Sequence, residues 1–179
     1  MNDKRMEAAL DVFLQYGFKK TSMEDIARGM GISRQAVYKN YKSKQDVLIN
    51  VIIYFSEKSI AESFAILQQQ EECLYERLLK MYWLVGGQFI ERLRSSPHSH
   101  EVMFQVEENH DKVNYHDHFE NMLKTVLTAS NFKPVRGALD DVVATIRITM
   151  DGLIHGAKNE EEFMEGAKHI LNALIPSER

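Results

Sequence analysis

Apolar side chains recur three and four residues apart along almost the whole chain, and only 3 prolines interrupt its 179 residues. That spacing gathers them on one face of a 3.6-residue turn, the pattern of amphipathic helices. No segment sustains the two-residue alternation of a half-buried strand, and with so few prolines the helices are expected to run long. About eight or nine helices are expected, with breaks at Ser95-Ser96-Pro97 and from Asn131 to Pro134. The fold class expected is all-α.

Local signals divide the first fifty residues finely. Met6, Ala9, Leu10, Phe13 and Leu14 mark a first helix, which Gly17 can stop in the left-handed conformation. Thr21-Ser22-Met23-Glu24 reads as a capping box, with the Thr21 hydroxyl capping a second helix and Glu24 reaching back. Met23, Ile26, Ala27 and Met30 then face inward, and Gly29 or Gly31 ends this short helix. Ser33 caps a third helix whose inner side carries Ala36, Val37 and Tyr41. Helix, short glycine-bearing turn, helix is the grammar of a helix-turn-helix. Small Ala27 lets the two helices approach, and Gly31 permits a turn that a β-carbon would strain. Ser43-Lys44-Gln45-Asp46 opens a fourth, long helix through Val47, Leu48, Val51, Ile52 and Phe55 to about Leu67, long enough to act as a rigid lever.

Charge is distributed unevenly. Residues 1–50 carry nine Lys/Arg against six Asp/Glu, a surplus of +3, and the remainder carries thirteen against twenty, a deficit of 7, which together give the net −4. A basic head on an acidic body points to a localised anionic partner. The single cysteine, Cys73, excludes an internal disulfide framework and fits a reducing compartment. No apolar run reaches the length that spans a bilayer, and no signal-like apolar segment follows Asp3, Lys4 and Arg5. A cytoplasmic protein with no membrane partner is expected.

Ala9, Phe13, Gly17, Thr21, Ile26-Ala27, Gly31-Ile32-Ser33, Val37-Tyr38, Tyr41, Lys44 and Leu48 stand in an order and spacing that resembles the head of the TetR family of bacterial regulators. Met30, Asn40 and Gln45 depart from the usual pattern, and of these Asn40 bears on DNA specificity. The resemblance covers roughly the first 50 residues. It implies a three-helix helix-turn-helix DNA-binding head, residues 1–46, joined to a helical-bundle ligand-binding and dimerisation domain, residues 47–179.

In a helix-turn-helix the second helix enters the major groove with its first residues on base edges. Here it opens Ser33-Arg34-Gln35, and Arg34 matches guanine while Gln35 matches adenine. Tyr38 stands at the family position whose hydroxyl bonds phosphate. Lys44, at the start of the next helix, is expected to hold phosphate together with that helix's free amides. Lys39 and Lys42 add salt-sensitive attraction. Thr21 caps and can also face phosphate, and Asn40 can reach phosphate or a base.

The resemblance further implies a homodimer on a palindromic double-stranded operator. Its seam would lie on Leu139, Val143, Ile146, Met150 and Leu153 with Phe163, Ala167, Ile170 and Leu174. A small-molecule effector pocket is expected among Tyr82, Trp83, Phe89, Met103, Phe104, Phe119, Met122 and Met150, with Gln88, Gln105 and His118 as polar contacts. Gly86-Gly87 within a helical pattern marks close packing or a kink. His98, His100, His116 and His118, with Glu107 or His110, lack the spacing of a metal site. No phosphate loop, nucleophile elbow or Cys/His pairing suggests an enzyme, and no cofactor is expected.

Overall fold

A computed structural model describes residues 3–69, 71–109 and 113–175. Its elements are α1 (Asp3–Tyr16), α2 (Met23–Gly29), α3 (Arg34–Asn40), α4 (Lys44–Leu67), α5 (Leu74–Tyr82), a π-helical turn (Trp83–Gly87), α6 (Gln88–Ser95), α7 (Ser99–Glu107), α8 (Tyr115–Ala129), α9 (Leu139–Gly156) and α10 (Glu160–Leu174). The chain is all-α, and among the described residues there is no strand. Breaks fall at 96–98 and 130–138, where Pro97 and the polar run after Ser130 were expected to interrupt it.

The chain packs as two units, Met1–Ser56 with Arg92–Asn114, and Glu57–Glu91 with Tyr115 onward. Within the first, Ala9 and Phe13 of α1, Ile26 and Ala27 of α2, Val37 of α3 and Val47, Leu48 and Val51 of α4 share one buried cluster. Fully enclosing side chains such as Phe13, Ile26 and Leu48 contributes roughly 1.5–3 kcal/mol each. Val102 of α7 belongs to the same cluster.

Polar contacts bind the 92–107 segment further to α1 and the loop after it. The Arg92 guanidinium donates to Asp11 at 2.6 and 2.9 Å and to the Glu7 carbonyl at 2.8 Å. Ser96 Oγ donates to the Leu14 carbonyl at 2.6 Å, and Glu101 Oε1 accepts from the Lys19 amide at 2.7 Å. Nothing in the linear pattern signals this docking.

The second unit is built around Leu78, Met81, Tyr82, Phe119, Leu123, Val143, Ile146, Met150, Phe163 and Ala167, all buried. Gly86 sits in the π-helical turn where a β-carbon would lie 2.5 Å from Phe163 Cζ, so the expected close packing is what requires glycine. Tyr82 meets the Phe163 ring edge-on at 6.5 Å and places its hydroxyl 3.5 Å from Thr149 Oγ1. Burial in this core pushes the Tyr82 pKa up to about 12.

Two expectations change here. Val143, Ile146, Met150, Phe163 and Ala167 were placed on a dimer seam, but the chain's own core already encloses them. A side chain with no accessible surface has nothing to offer a second copy. Leu139, Leu153, Ile170 and Leu174 are only partly buried and pack against that same core. The face of α9 that remains open carries Ala144, Ile148 and Gly152 at successive turns, with Ile148 57% exposed.

Likewise, Tyr82, Phe119 and Met150 fill the core rather than line a cavity. Trp83 points outward, its Nε1 donating to Glu160 at 2.9 Å, while Phe89 is half-buried. Met103 and Phe104 belong to the first unit, where Phe104 is 55% exposed. Two clefts of the second unit have volumes of about 570 and 410 Å³; of the eight expected pocket residues only Met122 lines either, and of the expected polar contacts His118 lines the smaller. Period alone marks an apolar face, and whether that face meets a neighbour or a void is decided by side-chain volumes on other helices.

Candidate nucleic-acid interface

The head closes its second helix with a glycine turn. Gly31 has φ +65°, and a β-carbon there would meet nothing within 4 Å, so backbone conformation alone selects glycine. The Gly31 and Ile32 amides donate to the Arg28 and Ala27 carbonyls at 3.2 and 3.0 Å, using acceptors at the end of α2. Ser33 Oγ then accepts from the Ala36 amide at 3.1 Å and starts α3.

At the start of α2 the expected cap moves by one residue. Ser22 Oγ accepts from the Asp25 amide at 3.2 Å, and Asp25 Oδ2 accepts from the Ser22 amide at 3.0 Å. The Ser22 hydroxyl also donates to Asp25 and holds that carboxyl below the usual carboxylate range. Thr21 therefore does not cap. It is buried, and its hydroxyl donates to the Gly17 carbonyl at 2.7 Å, stabilising the α1–α2 loop. Overlapping Thr-x-x-Glu and Ser-x-x-Asp patterns made both registers possible, and the choice follows from Thr21 packing inward.

Along α3, Val37 is fully buried and Tyr41 follows it into the core. That anchoring turns Arg34, Gln35, Tyr38 and Lys39 outward together. Arg34 and Tyr38 share one face a turn apart, the guanidinium carbon 5.4 Å from the centre of the tyrosine ring. Donation to the Tyr38 oxygen raises the Arg34 pKa further above its ordinary value, so the guanidinium stays charged. Tyr38 is 48% exposed, which excludes a core role. Asn40 is exposed and donates its side-chain amide to the Ala36 carbonyl at 2.8 Å.

Lys44 was expected to hold phosphate with its ammonium, and the structure gives that group another occupation. Nζ donates to the carbonyls of Phe18, Lys19 and Thr21 at 2.8, 2.9 and 3.0 Å and lies 4.8 Å from the Phe18 ring centre. Its three donors are all used inside the protein. The first turn of α4 is capped by Ser43 Oγ, which accepts from the Asp46 amide at 3.1 Å. Lys19, Lys20, Lys39 and Lys42 remain exposed.

Among the described residues, no group of three His, Cys, Asp or Glu is placed to hold a metal ion, and no helix is long and apolar enough to cross a membrane. His110 lies outside the described residues.

The family profile of bacterial regulatory proteins, tetR family, matches residues 6–51, the segment holding α1, α2, α3 and the start of α4. The head is a TetR-family head. An uncharacterized HTH-type transcriptional regulator of Bacillus subtilis (strain 168), YezE, is 33% identical over 52 residues, 29% of this chain and 27% of YezE. This chain thus matches about a quarter of the length of that relative. Solved structures share the fold over nearly the whole length. SmeT, the repressor of the Stenotrophomonas maltophilia multidrug efflux pump SmeDEF, superposes with a TM-score of 0.70 at 18% identity, covering 98% of this chain and 90% of SmeT, and a SmeT–triclosan complex superposes with a TM-score of 0.66. The transcriptional regulator FadR from Bacillus subtilis, in complex with stearoyl-CoA, gives a TM-score of 0.63 at 16% identity over 98% of both chains. The family signature thus covers residues 6–51, and the structural likeness extends the shared all-helical fold over the rest of the chain.

Proposed function

We propose that this TetR-family regulator is a cytoplasmic, ligand-responsive repressor, a homodimer that binds a palindromic operator and leaves it when a small-molecule effector binds. The observation carrying the DNA reading is the outward grouping of Arg34, Gln35, Tyr38 and Lys39 on a capped α3 whose Val37 is fully buried. Arg34 and Gln35 sit in the first turn, where side chains reach base edges, and Tyr38 and Lys39 stand behind them at phosphate depth. The protein acts by binding rather than turnover.

One α3 reads few base pairs, and a two-fold dimer places two of them about one DNA turn, roughly 34 Å, apart. The open face of α9, with exposed Ile148 between Ala144 and Gly152, supports the dimer and replaces the seam expected from sequence. For the effector, the support is the pair of clefts in the second unit, together with fold relatives bound to stearoyl-CoA and triclosan. The packed Tyr82, Phe119 and Met150 favour a second reading, a regulator with no effector, and a screen for ligands that release DNA separates the two.

Selection of bound duplexes from a random pool tests the DNA reading. The recovered sequence is expected to be palindromic. Arg34→Ala and Gln35→Ala should each relax one position per half-site and weaken binding to it by roughly tenfold to a hundredfold. An unchanged recovered sequence in both variants overturns the assignment.

A further inference from the structure

We infer that the larger cleft of the second unit is an anion site built on Arg77, and that it takes a carboxylate carried on an apolar chain. Arg77 of α5 is only 9% exposed, an unusual place for a guanidinium. Its Nη1 donates to the Leu67 carbonyl at the end of α4, and its buried Nε has no acceptor. Among the described residues no carboxylate pairs with it. A buried charge with no counter-charge is a poor structural element, and an anion arriving in the cleft would supply one.

The surroundings define that anion. Arg77 lines the cleft of about 570 Å³ beside Gln68, Ser130 and Asn131, with Phe64, Leu67 and Val126 as its apolar wall. Phe64 and Thr125 also line the neighbouring cleft of about 410 Å³, which continues over Ile60, Ala61 and Met122. Along α4 the two span Glu57 to Leu67, about 15 Å at the helical rise. The polar end therefore leads into an apolar path. No second Lys or Arg lines either cleft, so a monoanion is matched by one guanidinium and a phosphate dianion is not. Glu57 at the far end repels a carboxylate and orients the ligand with its head on Arg77.

This rests on the proposal that the second unit takes a small molecule, but its test needs no DNA. Titration calorimetry on the full chain, with decanoate and with uncharged decanol below micelle-forming concentrations, is expected to show saturable decanoate binding at least tenfold tighter than decanol. Arg77→Gln should lower decanoate affinity at least tenfold and leave decanol unchanged. Asn131→Asp, which supplies a competing carboxylate in the cleft that Arg77 lines, should weaken decanoate similarly and serves where the Arg77 variant fails to fold. Equal binding of decanoate and decanol by the wild type, unsaturable decanoate binding, or full decanoate affinity in both variants overturns the site. Should decanoate bind through Arg77 without changing affinity for duplex DNA, the effector reading fails and the site stands. Should another small molecule release DNA from a chain that ignores decanoate, the site fails and the effector reading stands.

Discussion

Replacing Lys44 with methionine separates two jobs that its position allows. As placed, the ammonium bridges three carbonyls of the α1–α2 loop, two of them partly buried and one exposed. A hydrogen bond to a charged group contributes about 1.5–3 kcal/mol when well shielded and less when solvated. Taking about 1 kcal/mol for each partly buried bond, little for the exposed one, and up to about 1 kcal/mol for the contact with Phe18 gives a loss of about 2–3 kcal/mol. Methionine keeps most of the apolar stem, so the loss reports the ammonium. For a chain of this length that lowers Tm by about 4–12 °C. Binding to a nonspecific duplex, followed by fluorescence anisotropy from 50 to 200 mM KCl, supplies the second measurement. Each phosphate contact contributes about 0.9 to the slope of log affinity against log salt. The clamp predicts an unchanged slope in Lys44→Met, whereas Lys39→Ala and Lys42→Ala should each lower it by about 1 without moving Tm. A Lys44→Met protein with its Tm intact and its slope reduced by 1 would show that the ammonium leaves the loop for phosphate, and the clamp account would be refuted.

Gly31→Ala meets open space and loses only backbone comfort, about 1–2 kcal/mol. Gly17→Ala carries the same penalty at φ +78° and also drives a β-carbon to 2.5 Å from Glu101 Oε2, so denaturant titration should rank it as the more destabilised. Tyr82 ionises near pH 10 when unfolded and near 12 when folded; the unfolded state therefore sheds its proton first, and stability should fall by about 2 kcal/mol as pH climbs from 10 to 12. Tyr82→Phe, compared by urea titration across that range, should flatten the decline, and an identical decline in both proteins would contradict the assignment. Arg92→Ala removes the bonds to Asp11 and to the Glu7 carbonyl. Amide exchange should rise in α1 and α7 and stay unchanged in α9, and uniform protection throughout would count against this docking.

The head was readable because its signals are short-range. Gly31, Ser33 and the Met23, Ile26, Ala27, Met30 spacing each act within a few residues, and each lies where expected. The capping register failed by one because the choice between Thr21 and Ser22 rests on a hydroxyl bond back to Gly17 and on burial. Lys44 shows the same limit: a lysine at a helix start reads as a phosphate ligand until the loop 23 to 26 residues earlier is seen to surround it. In the second unit the period located α9 and α10 but could not say which partner their apolar faces meet. The chain itself covers Val143, Ile146, Phe163 and Ala167. Arg77 gave no signal at all, since a lysine or arginine in an amphipathic helix is ordinarily solvated.

Regulation requires an effector to bind the DNA-incompetent state more tightly than the competent one, and the difference need only be about 1–3 kcal/mol. The contacts that hold the α1–α2 loop are of that size. The loop from Gly17 to Thr21, which precedes the helix-turn-helix, is held from one side by Lys44 of α4 and from another by Glu101 of α7. Residue 57 of α4 and residue 91 of α6 already belong to the second unit, so the two helices that carry or precede these groups are continuous with it. In the proposed regulation, a ligand in the clefts along α4 meets the same helix whose first residue, Lys44, holds that loop. A core as closed as that around Tyr82 and Phe163 is compatible with the proposed ligand binding in clefts along α4 rather than in the centre.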